Sequence, residues 1–163
     1  MTHSIEKDWT TEVGLRSVCL LLHDRHRCGY VGIGPNHCLY KKGYDDNIPE
    51  QLIKKWEEIK NGPVGKRGIM DIFCYSMFPD NIPTVSLLFD VHGGITYSGD
   101  GGGVYPANSQ DIWWFGFDCG HDGDGSLSKY SFMYDTYPVR SQEYVEAECE
   151  RLAAQLKDIG ELK

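Results

Sequence analysis

The sequence predicts a single α+β domain: a mainly antiparallel or mixed sheet of four to six strands with two main helices packed on it. Three observations carry that expectation. Short apolar or aromatic segments separated by turn residues recur from Leu15 to Tyr134, as in a sheet of modest strands. Two segments, one near 48–60 and one near 141–160, repeat their apolar residues at helical spacing. The chain of 163 residues, 40% of them hydrophobic, is long enough to bury about two-thirds of its unfolded surface without a staple.

Residues 1–12 carry charge and no apolar run, and are expected to be a tail with no signal peptide. Leu15 to His23 has the apolar centre Val18-Cys19-Leu20-Leu21-Leu22. The polar Asp24-Arg25-His26-Arg27 and then Cys28 to Gly34 follow, which together read as a β-hairpin, with a helix the alternative for the first arm because a short apolar run does not settle its own period. Pro35 to Tyr44 has no period and is expected to be an ordered loop. Next, Leu52, Ile53, Trp56 and Ile59 mark a helix that opens with Pro49 and Glu50 and stops at Asn61-Gly62-Pro63. The stretch 64–83 reads as an insertion, in which Ile69 to Tyr75 fits either a strand or a short helix.

Thr84 to Val91 is apolar and β-branched, and predicts a buried strand. Ile95 to Ser98 and Ile112 to Asp118 are expected as further strands, as is Tyr130 to Met133 and Tyr134. The glycine-rich stretch 99–106 between two of them reads as a lid. At the C-terminus Ser141 is a fitting N-cap, and Val145, Cys149, Leu152, Leu156 and Ile159 form one apolar stripe ending at Gly160. The remaining charged positions of that helix read as its solvated face.

Composition excludes several classes. A net charge of −8 opposes a polyanion groove, so no nucleic-acid polymer is expected as a partner. No apolar run approaches a membrane span, and no membrane partner is expected. Six cysteines at 19, 28, 38, 74, 119 and 149 show neither CxxC nor regular spacing. They read as reduced, small, mostly buried residues of a cytoplasmic protein. Ten of the 19 glycines fall between Gly93 and Gly125, around the two adjacent tryptophans, and there the candidate chemistry lies.

In Asp90-Val91-His92-Gly93-Gly94, a strand would put Asp90 and His92 on one face, and the glycine pair would let backbone N–H groups approach a phosphate. Tyr97 would return a polar group nearby. In Trp113 to Asp124, alternation sends Trp113, Phe115 and Phe117 to one face and Trp114, Gly116 and Asp118 to the other. Gly116 would then leave room beside Trp114 for a stacked ligand. The expected ligand-binding set is His92, Gly93, Gly94, Tyr97, Trp113, Trp114, Asp118, His121 and Arg27. If the chain is an enzyme, His92 and His121 act as acid and base with Asp118. Cys119, two residues before His121, is a candidate nucleophile without a recognisable pattern. Neither glycine cluster is a phosphate loop, since residues 99–104 lack a following Lys-Ser/Thr and Pro35 interrupts the other. His92, Asp118, Cys119 and His121 offer metal-ligand types, but no local pair has structural-zinc spacing, so neither metal nor cofactor is expected.

These blocks carry a resemblance. Cys28-Gly29-Tyr30-Val31-Gly32, His37 with Leu39-Tyr40, Val91 to Gly99, Trp113 to His121 with Gly123-Asp124, and Tyr144-Val145-Glu146 with Glu148-Cys149 resemble a family of small uncharacterised proteins from phages and bacteria. The chain departs from that pattern at Cys38, Gly120 and Asp122 and over 64–83. The resemblance implies a phage-linked origin and a shared pocket, and brings no activity with it. The leading expectation is a phage-encoded, cytoplasmic protein that captures a nucleotide-like signal of host antiviral defence, of cyclic-nucleotide or ADP-ribose type. The alternatives are a phosphodiesterase acting on such a nucleotide and a protein-binding inhibitor of a host factor. Homo-oligomerisation is left open.

Overall fold

The computed structural model describes residues 3–22, 25–78, 81–102, 106, 110–128 and 137–160. Five strands form one antiparallel sheet: β1 (His3–Thr10), β2 (Arg16–Leu22), β3 (His26–Ile33), β4 (Tyr97–Gly99) and β5 (Trp113–Asp118), in the order β1-β2-β3-β5-β4. The helices are α1 (Ile53–Lys60), α2 (Ile69–Met77) and α3 (Gln142–Gly160). The single α+β domain predicted from the sequence is the observed class.

Strand alternation divides the core. Cys19, Val31, Ile33, Phe115 and Phe117 face α3, whose Val145, Cys149, Leu152, Leu156 and Ile159 are all buried against them. Gly29 makes this close approach possible. A Cβ there would stand 2.5 Å from the Phe117 ring and 2.7 Å from Cys149 Sγ. Val18, Leu20, Cys28, Tyr30 and Trp114 point to the other face and form a second, smaller buried cluster. Ser141 Oγ accepts the Tyr144 N–H at 3.2 Å, the cap predicted for α3.

Three expectations change. Residues 3–10 are a strand rather than part of a tail: β1 pairs along the length of β2. Its charges looked solvated in sequence, but they are partnered across the fold. Glu6 binds Arg27 on β3, Lys7 binds Glu146 on α3, and the Trp9 indole N–H donates to Glu150 at 2.9 Å. Second, Thr84 to Val91 forms a single 3₁₀ turn at Val85–Leu88 instead of a strand. Residues 85–89 are buried on every side, and backbone groups of the preceding loop satisfy this segment: Val85 and Ser86 donate to the Asp46 and Tyr44 carbonyls. Packing overrides the β preference of its side chains. Third, the 48–60 helix divides into a 3₁₀ turn, Glu50–Leu52, and α1.

Ile69 to Tyr75, open between strand and helix, is helical. The expected strand at 130–134 lies outside the described residues, as do 103–105 of the lid. Among the described residues no helix is long and apolar enough to cross a membrane.

All six cysteines are free thiols. Burial pushes the Cys28 and Cys149 thiols up to about 12 and raises those of Cys19 and Cys119 still further. Titration with a thiol reagent is therefore expected to show Cys74, the exposed one, reacting first. Cys19, Cys28, Cys119 and Cys149 should react only in denaturant. Rapid modification of Cys119 in the native protein would contradict this placement.

Candidate functional site

A polar stripe on α3 builds the floor of the site. Tyr144, Glu148, Arg151 and Gln155 step by 4, 3 and 4, each one residue before a member of the apolar stripe. They hold the segment 90–92, which has no strand partner of its own. Gln155 grips the Asp90 backbone both ways: its Oε1 accepts the Asp90 N–H at 2.7 Å and its Nε2 donates to the Asp90 carbonyl at 3.0 Å. Glu148 is buried, and its Oε2 accepts the His92 N–H at 2.9 Å. Its Oε1 accepts from Lys66 Nζ at 2.6 Å and Arg151 Nη1 at 2.9 Å, so two cations compensate the buried carboxylate. Arg151 also reaches Asp90 Oδ2 at 2.8 Å.

His92 is therefore fixed at its backbone, and its ring is fixed as well. Nδ1 lies 2.9 Å from Tyr144 Oη, and Nε2 lies 2.8 Å from Asp124 Oδ2. Asp124, itself buried, takes the Arg140 Nε–H on Oδ1 at 2.8 Å and the His121 backbone N–H on Oδ2 at 3.2 Å. Burial penalises the Asp124 carboxylate. The hydrogen bonds from Arg140 and His92 outweigh that penalty and hold its carboxyl below the usual range.

The His121 ring lies over the 92–94 turn, its centroid 5.9 Å from that of His92. Gly93 adopts φ +66°, and a Cβ at that position would fall on the His121 imidazole. Only glycine lets both rings occupy this corner. His121 Nδ1 is buried with no hydrogen-bond partner among the described residues, 3.7 Å from Asp118 Oδ1 and 3.9 Å from Asp124 Oδ2.

These groups open into a cleft of about 780 Å³ between residues 64–71, the 92–96 turn, the 121–124 turn and Arg140. Its walls include Tyr44, Ile69, Met70 and Ile95. Lys66, Arg67 and Arg140 line it against Asp71, Asp122 and Asp124, so the lining is formally balanced in a chain that carries −8. Arg67 donates to the carbonyls of Leu87, Pro63 and Val64 and pairs with no carboxylate among the described residues.

Of the residues expected from sequence, the structure brings His92, Gly93 and His121 together in the cleft, with Asp118 beside His121. Asp118 is occupied by Thr96 Oγ1 at 3.0 Å and the Gly120 N–H at 2.9 Å. Asp90 and His92 do not share a strand face. Gly94 spends its N–H on the Val91 carbonyl, closing the turn, and so cannot offer it to a phosphate. Trp114 and Tyr97 lie on the opposite face of the sheet, and the Tyr30 ring fills the room expected at Gly116. The Trp113 indole donates to the Lys42 carbonyl at 2.8 Å. Arg27 is held by Glu6 and the Arg140 carbonyl. Cys119 is buried with a raised thiol, unsuited to nucleophilic attack.

Tyr44, Lys66, Asp124, Arg140, Tyr144 and Glu148 were not expected as site residues. For Tyr144 and Glu148 a signal existed, the polar stripe riding beside the apolar one. Lys66 and Arg140 sit in stretches without period and left no such mark. The expectation of no metal rested on local spacing, yet the fold brings single ligand atoms of His92, His121 and Asp124 within 4.8 Å of one another. The class defined by fold and site is thus a small α+β protein with a histidine–carboxylate cleft beside one sheet face. Comparison with known proteins adds nothing narrower: no family model, no curated protein and no solved structure matches the chain.

Proposed function

We propose that the chain captures a small, phosphate-bearing, nucleotide-like ligand in this cleft, the role expected of a phage protein that sequesters a defence signal. The observation that carries the reading is the cleft itself. About 780 Å³ suits a ligand of that size, and it combines three basic side chains, a projecting imidazole and one aromatic wall in an otherwise acidic protein. Tyr44 takes the stacking role once assigned to the tryptophans. Capture is favoured over hydrolysis because both ring nitrogens of His92 are engaged, by Tyr144 and Asp124. An acid–base pair with His121 would need one of them open to substrate.

Native mass spectrometry in EDTA with a panel of cyclic nucleotides and ADP-ribose derivatives tests the proposal. A retained, intact ligand mass is expected. Tyr44→Leu keeps the apolar contact but removes stacking, which is worth about 1–3 kcal/mol per base, so affinity should fall about tenfold. Product formation would favour the hydrolase, and no retained ligand of any kind would overturn capture.

A second reading, a protein-binding inhibitor, is favoured by one feature. α2 and its flank expose Ile69, Met70, Phe73, Met77 and Phe78, an apolar group large for a free surface.

A further inference from the structure

We propose that His92, His121 and Asp124 form a binding site for a divalent transition-metal ion, with zinc as its probe. The ligand atoms already stand near the required geometry. A tetrahedral ion with bonds of about 2.0–2.2 Å holds its donor atoms about 3.3 Å apart. Asp124 Oδ2 lies 2.8 Å from His92 Nε2 and 3.9 Å from His121 Nδ1, each about half an ångström from that spacing, and one ligand atom from each of the three residues lies within 4.8 Å of the others.

The buried, unpartnered His121 Nδ1 is the independent observation. A purely structural role accounts for His92 and Asp124, which bond to one another and to Tyr144 and Arg140. It leaves an imidazole nitrogen desolvated beside a carboxylate with nothing to bind, an arrangement that costs about 1–3 kcal/mol. A cation removes that cost.

The surrounding contacts are those of an oriented metal site. Tyr144 Oη meets the far nitrogen of His92, and Arg140 holds the other oxygen of Asp124, leaving Oδ2 toward the ion. When zinc takes the lone pair of His92 Nε2, the ring proton sits on Nδ1 and donates to Tyr144 Oη. Two histidines and one carboxylate leave a fourth coordination position, and all three line the cleft, where water or an anionic ligand oxygen completes the shell. Sequence spacing hid the set because its members come from two turns 29 residues apart, His92 and His121.

The test uses the full chain carrying Cys74→Ser, which removes the exposed thiol as a competing zinc ligand. After EDTA treatment and equilibration with zinc alone, one zinc per chain is expected by elemental analysis. His121→Gln should weaken zinc binding more than tenfold while melting as the parent does in EDTA. Cobalt substitution should give four-coordinate d–d absorption without a thiolate charge-transfer band. Equal zinc affinity in parent and His121→Gln would overturn the site, as would a thiolate band. No nucleotide is present here and EDTA is present in the ligand panel, so either proposal can fail alone.

Discussion

Replacing Trp114 with alanine is expected to destabilise the protein by about 3–5 kcal/mol and to leave ligand capture by the folded fraction unchanged. Trp114 is fully buried among Val18, Leu20, Cys28 and Tyr30, between Gly32 of β3 and Gly99 of β4 in the sheet. A Cβ at Gly32 would already stand 3.2 Å from its ring, so the pocket has been shaped around the indole and cannot collapse without moving strands. For a domain of this length that loss lowers the melting temperature by roughly 10–15 °C. Trp114→Phe should cost much less, because the indole N–H has no partner among the described residues and its removal relieves a desolvated donor. Urea unfolding and native mass spectrometry on the same samples separate the two effects. Lost ligand affinity at unchanged stability would return Trp114 to the binding role its sequence suggested.

The second large effect is expected at Glu148. Its alanine variant should lose about 2–3 kcal/mol, somewhat less than the ~3–5 kcal/mol typical of breaking a fully buried ion pair. The discount follows from the partners: the Lys66 and Arg151 side chains are 43% and 41% exposed and regain water, whereas the buried His92 N–H loses its acceptor. Melting should fall by about 5–10 °C. Unlike Trp114→Ala, this variant should also weaken binding in the cleft, because His92 is no longer held at its backbone. Glu148→Gln retains an acceptor for the His92 N–H and should recover binding more than stability. If Glu148→Ala matches the parent in both readouts, the α3 stripe does not position the site.

How much of this was legible in sequence varies with how local each signal is. The α3 stripe of Val145, Cys149, Leu152, Leu156 and Ile159 is a one-dimensional pattern, and every member is buried as expected. The alternation of Trp113 to Asp118 likewise predicts which side chains share a face. It cannot say which face meets the cleft. Trp114 looked like an exposed wall because the residue that fills Gly116, Tyr30, comes from another strand. Thr84 to Val91 misled for a related reason: an apolar run reports burial, and burial on every side suits a 3₁₀ turn inside the core as well as a strand.

Local periodicity and turn chemistry therefore determined the α+β class, the β2–β3 hairpin and both ends of α3, and they singled out His92, Gly93 and His121, which the fold gathers at one cleft. The tertiary structure alone decided their chemistry. It set Glu148 beneath the His92 backbone, Asp124 against its ring and Gly93 under His121. These contacts join residues 28 to 56 positions apart, and no periodicity in the chain records a pairing at that range.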